Sequence, residues 1–169
     1  ACTRFDDSHA RIINGLRAQQ VEALRQRAEL CSQLEALDGN ADGAQRQPII
    51  DQWAAIELQD NELSRRIEQR FASAQTAMDR SDAELQRRML CIRLEIALSV
   101  DSPAEDRALR MQYQLDRMNE GGLGQQLDNQ AEQVQQLELD WLCMPGAQAA
   151  LQQALDRRFQ RVLVSAGKR

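Results

Sequence analysis

The sequence predicts an all-α chain, read as elongated antiparallel helical hairpins or a bundle built from divergent tandem repeats. Three observations carry that expectation. Aromatics make up only 4% of the 169 residues while apolar residues make up 43%, and Ala, Leu, Gln, Glu and Arg, all good helix formers, are abundant. The β-branched and aromatic runs that announce strands are missing; the best, Val162-Leu163-Val164, is short and closes a helical pattern. Third, the chain repeats its own words.

All three Phe directly follow an Arg, at Arg4-Phe5, Arg70-Phe71 and Arg158-Phe159, and Trp53 and Trp141 each stand 18 residues ahead of a Phe. Chance placement of Arg before every Phe is roughly two in a thousand, and internal repeats decide architecture before local propensity does. A second word is shared: Leu30-Cys31-Ser32-Gln33-Leu34-Glu35 is similar to Leu90-Cys91-Ile92-Arg93-Leu94-Glu95. Taken in the order Trp, Arg-Phe, Leu-Cys-x-x-Leu-Glu, the unit divides the chain in three. Residues 1–40 read as the C-terminal part of a truncated first repeat and 47–100 as a complete second repeat. Residues 101–169 read as a helical hairpin insertion plus a partial third repeat. A chain that opens inside a repeat and lacks an initiator Met is expected to continue at its N-terminus.

Element by element, residues 3–37 carry an apolar stripe through Ile13, Leu16, Val21, Leu24, Ala28, Cys31, Leu34 and Leu37, which predicts one long helix or a helix pair. Gly39 is placed to stop it. Pro48 is expected to open a short helix bearing Ile49, Ile50, Trp53 and Ile56, and Asp60 to cap the next. That helix is expected from Glu62 past Ile96, with an interruption where polar residues crowd between Asp79 and Asp82. Ser102-Pro103-Ala104-Glu105 reads as a capping box opening a helix with Leu109, Met111, Leu115 and Met118, which Gly121-Gly122 ends. A further helix is expected over 125–143. Pro145 is expected to start the last one, with Leu151, Leu155, Phe159 and Val162 on one face, and residues 165–169 to fray.

The net charge of −5 is spread over interspersed acidic and basic residues, which suits a solvated, salt-bridged surface and argues against a general nucleic-acid coat. Of the 21 basic residues only Lys168 is Lys; a GC-rich genome is the simplest reading. The Cys at 2, 31, 91 and 143 match no zinc or redox spacing, and Cys31 and Cys91 read as small core hydrophobes in a reducing cytoplasm. No apolar run reaches membrane-spanning length, and no membrane partner or cofactor is expected.

The Trp, the spaced Arg-Phe and the charged helix after it resemble a bacterial family of tandem, highly charged helical repeats, the domain of unknown function number three hundred and forty-nine. Leu90–Glu95 and Ser102–Gln114 look like the C-terminal part of proteobacterial members. The resemblance covers most of Pro48 to Val164. It departs from an even array, because the spacing between successive Phe is 66 and then 88 residues, which suggests an inserted hairpin over Pro103–Gln133. The resemblance implies a cytoplasmic bacterial helical-repeat protein and brings no catalytic or ligand residues with it.

Trp53, Phe71, Trp141 and Phe159 read as core anchors of the repeats, with a partner-binding role for the Trp as the sharper alternative. Arg65, Arg66, Arg70, Arg157, Arg158 and Arg161 are the candidate interaction residues, weighed against boundary Arg that pair with an acid. His9, the only His, offers no partner set for a metal or a triad, and Gly121-Gly122-Leu123-Gly124 lacks the features of a phosphate loop. The expectation is a non-enzymatic scaffold binding an unidentified protein, with self-association open. Nucleic-acid or ribonucleoprotein binding through Arg faces is the alternative.

Overall fold

A computed structural model describes residues 2–37, 42–76, 81–119 and 130–166, with backbone alone for 2–14, 16, 81 and 166. Among the described residues the protein is all-α, with no strand. The chain divides into two compact units, Ala1–Met78 and Asp79–Arg169.

The first unit holds α1 (Cys2–Ala36), α2 (Gly43–Ala55) and α3 (Glu62–Gln75). One face of α1 buries Leu24, Ala28, Cys31 and Leu34, spaced by threes and fours, and packs on α2 and α3. Leu30 of α1, Ile49 of α2, and Ile67, Phe71 and Ala74 of α3 are also buried. Asp42 caps α2 by accepting from the Gln45 N–H at 2.9 Å, so Pro48 lies inside this helix rather than opening it. The cap of α3 is Asn61, not Asp60. Asn61 and Ser64 exchange side-chain-to-backbone bonds of 3.0 Å, satisfying two N–H groups that the helix start leaves unpaired.

The second unit holds α4 (Ser81–Ala97), a short 3-10 helix (Ala104–Asp106), α5 (Arg107–Asn119), α6 (Gln130–Cys143) and α7 (Ala149–Ala166). The stretch expected from Glu62 past Ile96, with its interruption, is two helices: α3 ends at Gln75 and α4 starts at Ser81. Helices α6 and α7 both pack on α4. Leu90, Cys91, Leu94, Leu137, Trp141, Leu155, Phe159 and Val162 are buried together. Each such aliphatic or aromatic side chain stabilises by about 1.5–3 kcal/mol relative to exposure.

Ser102 does not cap a helix. Its hydroxyl is buried and donates to Glu95, and no side chain caps the 3-10 helix. Helix α7 starts four residues after Pro145. The carbonyls of Met144 and Pro145 are held by Arg87, and the Ala147 N–H donates to Gln152 at 2.9 Å. The expected stops at Gly39 and Gly121-Gly122, the first residues of the 125–143 helix and the end of the frayed tail lie outside the described residues.

The unit boundary falls inside the stretch 47–100. Trp53 and Arg70-Phe71 belong to the first unit, and Leu90–Glu95 to the second. Each unit therefore carries a Leu-Cys-x-x-Leu-Glu helix, then one Trp, then one Arg-Phe.

Candidate functional site

The two Trp-Phe words are stacked ring pairs. Trp53 lies 3.9 Å from Phe71 with 14° between the planes, and Trp141 lies 4.1 Å from Phe159 with 13°. Eighteen residues separate each Trp from its Phe because the chain must leave one helix, turn and run two turns or more into the next. On the other side of each indole sits a guanidinium, Arg27 over Trp53 and Arg87 over Trp141, both 4.5 Å from the ring centroid. Arg over a desolvated indole face is worth up to about 2 kcal/mol.

These Arg also hold the turn that follows the Trp. Arg27 donates to the carbonyl of Ile56 at 2.8 Å, and Arg87 to those of Met144 and Pro145 at 2.6 and 2.8 Å. Each pairs loosely with the acid two residues before the Arg-Phe, Glu68 at 3.6 Å or Asp156 at 3.7 Å. The Arg of Arg-Phe then reaches back to the final Glu of the Leu-Cys word. Arg70 makes a two-pronged pair with Glu35 at 3.0 and 2.7 Å, and Arg158 with Glu95 at 2.7 and 2.9 Å. Bidentate pairs of this kind are strong and directional.

The surroundings of the two pairs differ. Arg70 finds a second acceptor in the Ser32 hydroxyl at 2.9 Å. Position 92, which matches Ser32, is a buried Ile, and Arg158 instead bridges Glu95 and Asp106. Asp106 also accepts from Arg88. Burial alone would raise the Asp106 carboxyl, but hydrogen bonds from Arg158 and Arg88 outweigh it and hold the group below its usual value. Burial likewise works against the charge of Arg158, and its bonds to Glu95 and Asp106 win, so its pKa rises. Burial pushes the Cys91 thiol up to about 12, partly offset by Arg158, so it is a neutral packing group. Cys31, Cys91 and Cys143 are buried thiols.

The candidate interaction residues separate into two groups. Arg70 and Arg158 are internal: Arg70 is buried, little of the Arg158 side chain is exposed, and their charges are consumed by buried carboxylates. They are structural Arg and not surface contacts. Glu68 and Asp156, each two residues before one of these Arg, pair with Arg27 and Arg87 instead. Arg65 is exposed and pairs with Asp60 at 3.3 Å, and Arg66 is half-buried. Arg157 and Arg161 are exposed, one turn apart on α7. Trp141, Phe71 and Phe159 are buried and Trp53 is half-buried, all inside the stacks. His9 lies on α1, with its side chain outside the described residues.

Sequence reasoning missed Arg27 and Arg87. The shared word extends upstream to Arg27-x-x-Leu30-Cys31 and Arg87-x-x-Leu90-Cys91, and that extension was the available signal. Asp106 had none, since a second acid in a capping-box motif looks like ordinary helix-end charge. Among the described residues no group of His, Cys, Asp and Glu could hold a metal ion, and no helix is long and apolar enough to cross a membrane. No family model, curated protein or solved structure matches the chain.

Proposed function

We propose that this chain is a non-enzymatic helical scaffold that binds another protein, within a cytoplasmic bacterial protein of tandem helical repeats. The observation that carries the reading is the outward face of α5. Met111, Leu115 and Met118 are 64, 53 and 54% exposed, and the helix has no buried residue. The three recur at four and three residues, so they form one apolar stripe of the kind that partner helices cover. The two latched Trp-Phe stacks support the same reading, since the carboxylates of Glu35, Glu95 and Asp106 are taken up by Arg inside each unit. Membership of the helical-repeat family belongs to this proposal and rests on the residue pattern alone.

The test is capture from native extract with the full natural protein, with and without nuclease, beside the variant Met111→Asp/Leu115→Asp. Partners that survive nuclease and vanish with the variant are expected. Partners indifferent to the variant would remove α5 from the proposal, and substrate turnover with no partner would end it.

A second reading, nucleic-acid binding, is favoured by Arg157 and Arg161. They are exposed and have no ion-pair partner among the described residues. It requires affinity that falls steeply with salt and is lost in Arg157→Glu/Arg161→Glu. Reversing Arg70 tests nothing, because that change would break a buried pair.

A further inference from the structure

We propose that the cleft between α4, α5 and α6 of the second unit is a binding site for a small organic phosphate, a role separate from the scaffold reading. The cleft has a volume of about 310 Å³, at the lower end of the range for small-molecule sites. Arg93 of α4, Tyr113 and Arg117 of α5, and Gln133 and Gln136 of α6 line it, with Leu137 supplying an apolar wall. Among the described residues no carboxylate lines it. Two guanidinium groups, a phenol and two amides beside an apolar surface suit a doubly charged oxyanion carried on a compact apolar body.

Comparing the units shows that these groups are not needed for folding the latch. None of them takes part in the Arg-Trp-Phe stack, the turn contacts or the bidentate pair that occur in both units. The position matching Arg93 in the first unit is Gln33, an exposed residue bonded to Glu29 of its own helix. Arg93 itself is half-buried and makes no hydrogen bond or ion pair among the described residues. Tyr113 and Arg117 come from the segment that the first unit lacks: Glu95 to Trp141 is 28 residues longer than Glu35 to Trp53. The Arg117 guanidinium stands over the Tyr113 ring, 6.0 Å from its centroid, so the two side chains, one turn apart on α5, line the same side of the cleft.

Helix α5 leaves the cleft open because it is tethered at its start rather than packed along its length. Arg110 donates to the Val100 carbonyl and the Ser102 hydroxyl, and Asp106 is held by Arg88 and Arg158. Beyond that anchor Tyr113 and Arg117 are only half-buried.

Calorimetric titration of the whole chain with phenyl phosphate and with inorganic phosphate tests the assignment. One equivalent of phenyl phosphate is expected to bind, more tightly than inorganic phosphate because the ring meets the apolar wall. Arg93→Gln places in α4 the residue that the first unit already carries there. It is expected to weaken binding by about tenfold or more, the scale of a lost charge-assisted hydrogen bond, with unchanged circular dichroism. Tyr113→Ala, at a site with no role in the core, should weaken it as well and serves if Arg93→Gln misfolds. Absence of saturable binding, equal affinity for the two probes, or affinity unchanged in both variants would overturn the proposal.

Discussion

The first unit meets its buried Arg with one carboxylate and a hydroxyl; the second meets its Arg with two carboxylates and then needs a further Arg to balance them. Arg70 sits between Glu35 and Ser32. Arg158 sits between Glu95 and Asp106, with Arg88 on the far side of Asp106. The stack, the guanidinium over the indole and the hold on the following turn are otherwise the same. The 28-residue extension between Glu95 and Trp141 accounts for the difference, because it brings the Asp106 carboxylate into the latch. An added element here is fixed by adding charge to a buried pair. That arrangement depends on every partner being present, since a buried ion without its counterion is costly while the complete set is near neutral in stability.

Arg158→Ala should therefore have the largest effect. It leaves Glu95 short of its partner and removes one of the two Arg that hold Asp106, both carboxylates being 1% exposed, and should cost about 4–5 kcal/mol. Arg70→Ala should cost about 3 kcal/mol, because the Glu35 side chain is 7% exposed and water reaches it more easily. Each unit has its own Trp, so urea unfolding followed by fluorescence in Trp53→Phe and Trp141→Phe backgrounds reads them separately. Equal costs would mean that Asp106 adds nothing to the latch.

Removing the indoles should come next. Trp141→Ala, at a buried ring, should cost about 3–4 kcal/mol. Trp53→Ala, at a half-buried ring under an equivalent Arg, should cost about 2 kcal/mol. The reverse order in thermal unfolding would show that the stacks are not equivalent supports.

Acid should separate the units further. The folded-state carboxyl of Asp106 lies below its ordinary value of 3.8. Its stabilising contribution is therefore complete above that value and is lost as pH falls from there through the lowered folded value. Asp106→Asn should lower the stability of the second unit at neutral pH and flatten its acid dependence below about pH 4. A fluorescence-monitored acid titration unchanged by the variant would remove Asp106 from the account.

The smallest effect concerns a helix end. Ser99 has φ +54° where α4 ends, with the Val100 N–H bonded to the Glu95 carbonyl at 2.8 Å, the left-handed C-terminal stop that favours Gly. The residue 60 positions earlier is Gly39. Ser99→Gly should stabilise the second unit by about 0.5–1 kcal/mol in urea unfolding. A loss of stability would mean that the Ser side chain contributes at this site.

Much of the helical layout was legible because periodicity is local. The stripes through Leu24–Leu34 and Leu155–Val162 predicted buried faces, and those faces are buried. Helix ends were less legible. Asp60 and Asn61 are both good caps, and only the reciprocal bond with Ser64 selects Asn61. Ser102 had the right neighbours for a cap, but a buried carboxylate from α4 competes for its hydroxyl. The apolar residues expected on the helix after Ser102 include Met111, Leu115 and Met118, which are exposed, since hydrophobic spacing does not say whether a neighbour is present.

By itself the sequence determined the helical class, the four aromatic anchors and the two Leu-Cys words, because composition and spacing act within a few turns of chain. Tertiary structure alone decided what each Arg does. Arg70 meets a Glu 35 residues away and Arg158 one 63 residues away, while the nearby Glu68 and Asp156 turn to the Arg over the indoles. A guanidinium selects the carboxylate that burial brings into its plane, and only the packed helices determine which one that is.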